Sequence, residues 1–113
     1  MSTATTALHP EHKDILAVLG YFFLEHGQTD KALILLEALD TLCPKEEEVA
    51  KSLSYAYLQA GRYQDALDAA ARAAAARDDI FIHLLRGKAL WGLGKTTEAR
   101  ACLQRYCEER TTP

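Results

Sequence analysis

The chain has 113 residues, which is room for one domain. Its 16 acidic residues outnumber its 13 basic ones, and the formal charge of −3 argues against binding to a nucleic-acid backbone. No apolar run approaches the roughly 20 residues that a membrane span needs, and the first residues lack the basic and apolar regions of a secretory signal. We therefore expect a cytoplasmic protein that does not insert into a membrane.

The first predicted helix follows a short polar segment. Residues 1–9 are mostly small and polar, so we expect a flexible tail there. Pro10 is typical of the first turn of a helix and Gly27 of its end, which predicts a helix over residues 10–26. A buried stripe is predicted from the three-and-four spacing of its apolar residues, which are Ile15, Leu16, Leu19, Phe22 and Phe23.

A second helix follows the turn at Gly27. Thr29 or Asp30 can cap its N-terminus through a side-chain oxygen. Its end is predicted at Cys43-Pro44, because the residue before a proline avoids the helical region. Its apolar face is formed by Ala32, Leu33, Leu35, Leu36 and Leu39.

Two further pairs of helices are predicted in the rest of the chain. The third and fourth helices are expected over about residues 45–60 and 63–77. The fifth is expected over about residues 80–93, and the sixth begins at Thr96 or Thr97. Residues 46–48 are all glutamate and lie at the start of the third helix, where acidic groups are favourable, so we assign them to capping rather than binding.

The three helical pairs repeat with a fixed period. Their turn glycines follow one another at intervals of 34 and 33 residues and are Gly27, Gly61 and Gly94. Three alanines keep the same intervals: Ala32, Ala66 and Ala99. A helix-turn-helix period of about 34 residues is typical of the tetratricopeptide repeat. We predict an all-α domain over residues 10–113, in which three tandem hairpins (about 13–46, 47–79 and 80–113) form a short right-handed solenoid with a concave groove.

The groove is the predicted partner-binding site. In stacked hairpins of this kind, the first helix of each repeat lines the concave side, and its residues facing away from the second helix are available to a partner. These residues are Ala17, Val18, Tyr21 and Leu24, then Lys51, Ser52, Tyr55 and Leu58, then Phe81, Leu84, Leu85, Lys88 and Trp91. Because Tyr21 and Tyr55 are 34 residues apart, an aromatic side chain recurs along one wall, which favours an apolar helix or extended segment as the partner.

A second interpretation of the same aromatic residues stays open. Tyr21, Tyr55 and Trp91 can instead be core residues between helices, with Trp91 covering the gap beside Gly92 and Gly94.

Residues for catalysis, metal binding or cofactor binding do not form a pattern. The four histidines are scattered, and the three cysteines are an odd number without a C-x-x-C pair, which suits a reducing compartment. Gly94-Lys95-Thr96 lacks the upstream glycine and strand of a phosphate-binding loop. We expect no metal, no cofactor and no enzymatic activity.

The sequence also resembles a particular family of repeat proteins. Segments 27–46 (GQTDKALILLEALDTLCPKE) and 94–110 (GKTTEARACLQRYCEER), together with the length of three hairpins, resemble the small YscY-type chaperones of bacterial type III secretion. The resemblance implies a chaperone in the bacterial cytoplasm that binds a small secreted YscX-like protein and is linked to the export gate of the inner membrane.

Other functions that suit the same fold stay open. The chain also resembles the translocator and needle-subunit chaperones of the same secretion system. A general interaction scaffold that forms homodimers is a further alternative. Many tetratricopeptide arrays finish with an extra helix over the last hairpin, and the residues after the sixth helix are too few for one, so we expect the C-terminal edge to be an interface. Ala17, Tyr21 and Ser52 stand where carboxylate-gripping tetratricopeptide domains carry Lys, Asn or Arg, so that mode of binding is not expected.

Overall fold

A computed structural model describes residues 10–44, 46–77 and 79–111, and within these ranges the chain forms six helices and no strand. The helices are α1 (Pro10–Glu25), α2 (Thr29–Leu42), α3 (Glu47–Gln59), α4 (Tyr63–Ala76), α5 (Ile80–Gly92) and α6 (Thr96–Thr111). None of them has both the length and the apolar character that crossing a bilayer requires. The predicted tail over residues 1–9, Lys45 and Asp78 lie outside the described residues. The prediction of an all-α chain of three tandem hairpins is confirmed.

Each hairpin turns at a glycine with a left-handed backbone. The φ angle is 73° at Gly27, 77° at Gly61 and 81° at Gly94, a region that glycine enters without strain. In all three turns the amide after the glycine donates to the carbonyl five residues earlier: Gln28 to Phe23 at 2.8 Å, Arg62 to Tyr57 at 2.8 Å and Lys95 to Leu90 at 2.9 Å. This bond satisfies a carbonyl that the end of the helix leaves unpaired. The period in the sequence is therefore the period of one repeated turn.

Close packing inside the first and third hairpins depends on a glycine in the first helix. A methyl group at Gly20 would lie 3.1 Å from Leu36 Cδ2, and one at Gly87 would lie 2.5 Å from Leu103 Cδ2. Each glycine therefore provides the space into which a leucine of the second helix packs.

The second hairpin has a different pair of residues at these positions. Ser54 occupies the position of the glycine in the repeat, and Ala70 occupies that of the leucine. Both are completely buried. The Ser54 hydroxyl is satisfied because it donates to the Ala66 carbonyl oxygen at 2.8 Å. A somewhat larger residue on α3 is thus matched by a smaller one on α4.

Neighbouring hairpins are joined by polar contacts as well as by the apolar core. The Tyr57 hydroxyl on α3 donates to Glu37 Oε2 on α2 at 2.7 Å. Burial of the phenol and this hydrogen bond together raise the pKa of Tyr57 to about 12. Arg72 on α4 pairs with Asp40 on α2 at 3.0 Å. The largest apolar side chains that are almost entirely buried are Leu36, Leu39, Leu53, Ile82 and Leu85.

The buried stripe predicted for α1 is only partly confirmed. Leu16 and Phe23 pack against the core, whereas Leu19 and Phe22 are 40% and 50% exposed. The side chain of Ile15 lies outside the described ones. Apolar residues surround most of α1, so their spacing does not select the side that meets α2 and α3.

The predicted helix caps also need correction. Neither Thr29 nor Asp30 caps α2, because the helix begins at Thr29 and the side chain of the preceding Gln28 makes no capping hydrogen bond. Glu46 likewise precedes α3 without a side-chain cap. The residue that does cap a helix is Asp79, which accepts a hydrogen bond from the Ile82 amide of α5 at 3.2 Å.

Truncation of a core leucine tests the packing. Leu36 is 1% exposed, so we expect Leu36→Ala to lower the free energy of unfolding by about 2–5 kcal/mol through lost burial and the cavity left behind. Ile34 on the same helix is 71% exposed, and Ile34→Ala should change stability by less than about 0.5 kcal/mol. Urea unfolding followed by circular dichroism gives both values. Equal stability of the two variants would contradict the assigned core.

Adding a methyl group tests the close approach of α5 and α6. We expect Gly87→Ala to destabilise the protein by about 1–3 kcal/mol, because the methyl group overlaps Leu103. The matched control is Gly20→Ala, where the contact is longer and the higher helix propensity of alanine, worth roughly 1 kcal/mol, offsets the crowding. The same unfolding experiment applies, and a Gly87→Ala variant as stable as the wild type would show that α5 and α6 are further apart.

Candidate functional site

α1, α3 and α5 lie side by side and form the wall of a groove. The groove is a cavity of about 470 Å³ that opens between these helices, and it is lined by Tyr21, Leu24, Glu48, Lys51, Ser52, Tyr55, Phe81 and Lys88. Seven of these eight residues belong to the predicted partner-binding set. The structure thus brings most of the predicted residues together on one surface, while their binding role stays a prediction.

Three groove residues occupy equivalent positions in the three repeats. Tyr21, Tyr55 and Lys88 follow one another at the intervals of the repeat, and all three line the cavity. Tyr21 is 55% exposed. Tyr55 is half-buried, because one side of its ring packs against the core while the other faces the cavity. Tyr21 is therefore not a core residue sealed between helices.

Lys51 is held in place by two carboxylates. Its ammonium lies 2.9 Å from Glu48 Oε2 and 2.9 Å from Asp79 Oδ2. Burial disfavours the charged ammonium, but the hydrogen bonds to Asp79 and Glu48 outweigh it and raise the pKa of Lys51 above its ordinary value. Because Asp79 also caps α5, this lysine ties the middle helix of the groove wall to the start of the next one.

Lys88 is the second lysine of the groove and is exposed. Among residues 10–44, 46–77 and 79–111 it has no carboxylate within ion-pair distance. The groove therefore contains one lysine whose charge is neutralised internally and one whose charge is available to a partner.

Several predicted site residues lie elsewhere. Val18 is exposed but does not line the cavity, and the side chain of Ala17 lies outside the described ones. Leu84 is half-buried. Leu85 is 1% exposed and does not face the groove, because this side of α5 packs against Ala50 and the alanines of α4.

Leu58 and Trp91 lie beside the groove rather than in it. Together with Tyr55 and Lys88 they line a depression of about 420 Å³. Trp91 is 60% exposed. Its predicted alternative role as a cover for Gly92 is wrong, because the ring of Tyr63 packs on that glycine instead.

Glu48 is a groove residue that sequence reasoning misses. Its place at the start of α3 favours a capping role, yet Glu48 lines the cavity and pairs with Lys51. A signal for its position exists in the sequence: Glu48 precedes Phe81 by 33 residues, so the two occupy equivalent positions of adjacent repeats. Within the described part of the chain, no group of three His, Cys, Asp or Glu residues is arranged to hold a metal ion.

Comparisons with known proteins give structural similarity only. No protein-family model matches the chain, and no curated protein matches it. Among solved structures, the type III secretion translocator chaperone SycD of Yersinia enterocolitica has a TM-score of 0.81 at 18% identity, over 88% of this chain and 76% of SycD. The first TPR domain of the human RPAP3 protein has a TM-score of 0.81 at 22% identity, over 92% and 84% of the two chains. A mutant of MamA has a TM-score of 0.78 at 23% identity, over 91% and 76%. At these identities the similarity establishes a tandem tetratricopeptide-like fold.

The Asp79 carboxylate provides a test that depends on pH. Burial opposes its charge, but the hydrogen bonds from Lys51 and the Ile82 amide lower the pKa of Asp79 below its ordinary value. Its contribution to stability is therefore complete above 3.8, the value of an unperturbed aspartate, and is lost as the pH falls through the lower pKa of the folded state.

We expect Asp79→Ala to cost about 1–2 kcal/mol at pH 7 and the difference from the wild type to shrink below pH 4. Urea unfolding at pH 7, 5 and 3.5 measures the difference. Asp68→Ala, which removes an exposed aspartate bonded only to Gln64 within α4, is the control. A constant difference at all three pH values would rule out the charged form of Asp79 as its source.

Proposed function

We propose that the chain is a type III secretion chaperone of the YscY type, which binds a small secreted YscX-like protein in its groove in the bacterial cytoplasm. The observation that carries the proposal is the groove itself, where Tyr21, Tyr55 and Phe81 from three helices line a recess open to a polypeptide. The resemblance of segments 27–46 and 94–110 to the YscY-type chaperones indicates the client class. The shared fold with SycD supports the same assignment.

The mechanism is stoichiometric rather than catalytic. Apolar segments of a secreted protein promote its aggregation when they are exposed to water. In the groove, such a segment packs against aromatic rings and is removed from water, which is favourable in proportion to the apolar area buried. The client stays in complex until the export gate accepts it, so one chaperone protects one client.

Two other chaperone classes of the same system are alternatives for the client. A translocator or a needle subunit would use the same groove, since both present apolar segments to a chaperone. Co-expression of the chain with one candidate of each class, followed by affinity purification and light scattering, separates these possibilities. We expect a stable one-to-one complex with the YscX-like protein alone, and recruitment of the export-gate protein only by that complex.

A homodimeric scaffold is the second candidate function. Val18, Leu19 and Phe22 are exposed on α1, and an apolar helix face of this kind favours self-association. Light scattering of the chain alone decides between the two functions. A dimer that persists after a client is added would favour the scaffold, and a dimer or monomer that becomes a heterodimer would favour the chaperone.

Truncation of the groove tyrosines tests the binding surface. We expect Tyr21→Ala and Tyr55→Ala each to weaken binding of the co-expressed YscX-like protein by about 2 kcal/mol, or roughly 30-fold, because each removes an aromatic anchor from the wall. Isothermal titration gives the affinities, and circular dichroism verifies the helix content. Ile34→Ala, on an exposed position of α2, is the matched control and should bind as the wild type does. If both tyrosine variants keep full affinity, the groove is not the binding site.

A further inference from the structure

We propose that the bound client segment extends beyond the groove to a second anchoring point formed by Lys88, Trp91 and Leu103, which we call the edge patch. There an acidic side chain of the client pairs with Lys88, and an adjacent apolar side chain packs on Trp91. The inference rests on the proposed function, because it assigns a further contact to the same client.

The edge patch is continuous with the groove. Lys88 lines the groove of about 470 Å³ and also the depression of about 420 Å³ that contains Leu58 and Trp91. Lys88 and Trp91 then line a third depression, of about 360 Å³, together with Leu103 of α6. One polypeptide can therefore follow the surface from Tyr21 to Leu103 and contact each of the three recesses.

The apolar part of the patch has the character of a binding anchor. Trp91 is the only tryptophan of the chain and is largely exposed. Tryptophan is enriched at the centres of protein interfaces, where its large rigid surface gains much from burial. Leu103 is half-buried because part of its side chain packs on Gly87, and its remaining surface forms the other side of the depression.

The charge of the patch indicates the chemistry of the occupant. Lys51 already has Glu48 and Asp79 at 2.9 Å, so the groove carboxylate nearest to a lysine is engaged. Lys88 has no such partner in the described ranges, and it lies between Tyr55 and Trp91. A client carboxylate would be paired there beside apolar rings, where water screens the attraction less than on an open surface. A basic client segment would be repelled.

The same charge disfavours a second copy of this chain as the occupant. A twofold interface brings the same patch of both copies together, so a dimer through the edge patch would place the two Lys88 side chains close to each other. Like charges in an interface are costly. The pairing with Lys88 also differs from the grip on a terminal carboxylate, since it involves a side chain of the client and a single lysine.

The experiment uses a phage library of random 16-residue peptides selected on the immobilised full chain. Selections are run on the wild type, Tyr21→Ala, Lys88→Glu, Trp91→Ala and, as a matched charge control, Lys95→Glu, which reverses an exposed lysine in the turn before α6 that lines none of the three recesses. Circular dichroism of every variant verifies folding. Fluorescence polarisation then gives the affinity of each selected peptide for each variant.

We expect peptides selected on the wild type to carry Asp or Glu next to aromatic or aliphatic residues. They should bind Lys88→Glu and Trp91→Ala at least about tenfold more weakly and Lys95→Glu with unchanged affinity. Selection on Lys88→Glu should replace the acidic residue by Lys or Arg. This exchange of charge identifies a direct pairing, because a merely structural effect of the substitution would weaken all peptides alike.

The contrary outcomes separate the two proposals. Peptides that require Tyr21 but bind Lys88→Glu and Trp91→Ala as they bind the wild type would overturn the edge patch and leave the groove intact. An absence of enriched peptides, or peptides indifferent to Tyr21→Ala, would overturn the groove and the edge patch with it. A dimer of the wild type that Trp91→Ala converts to a monomer, with no effect on the peptides, would show a second copy at the patch and refute the inference.

Discussion

One small side chain in the first helix of each hairpin sets how closely its two helices pack. At Gly20 and Gly87 the space is filled by a leucine of the second helix. The residue that follows in the sequence is turned by about 100° around a helix of 3.6 residues per turn. The next residues, Tyr21 and Lys88, therefore face away from the hairpin and into the groove. The position that closes each hairpin thus also fixes which side chain it offers to a partner.

The two lysines of the groove have different physical roles. Lys51 is engaged by Glu48 on its own helix and by Asp79 at the start of α5, so its charge serves to hold two wall helices together. Removing one member of such a partly buried pair is unfavourable, because the other is left near apolar surface without compensation. Lys88 has no carboxylate of that kind in the described part of the chain. Recognition of charge by the groove therefore falls to the third hairpin.

The sequence predicts the hairpins well because each turn requires a glycine at a regular interval, and such a requirement is visible in a single chain. It predicts burial less well. The exposed Phe22 of α1 follows the same spacing as Leu16 and Phe23, which pack against the core, and only the position of α2 and α3 distinguishes them. In the site, the repeat period identifies Tyr21 and Tyr55 as equivalent, yet Glu48 is missed because acidic residues at a helix start have a sufficient local explanation.

Regular and irregular positions of the repeat contribute differently to the molecule. Leu24, Leu58 and Trp91 occupy one equivalent position, and the side chain passes from buried in the first hairpin to half-buried in the second and exposed in the third. At the neighbouring position, two tyrosines are followed by Lys88. Both departures occur in the third hairpin, at residues that no core contact requires to be polar or large. The first two hairpins therefore provide an apolar wall of general character, and the third provides the features by which one client can be distinguished from another.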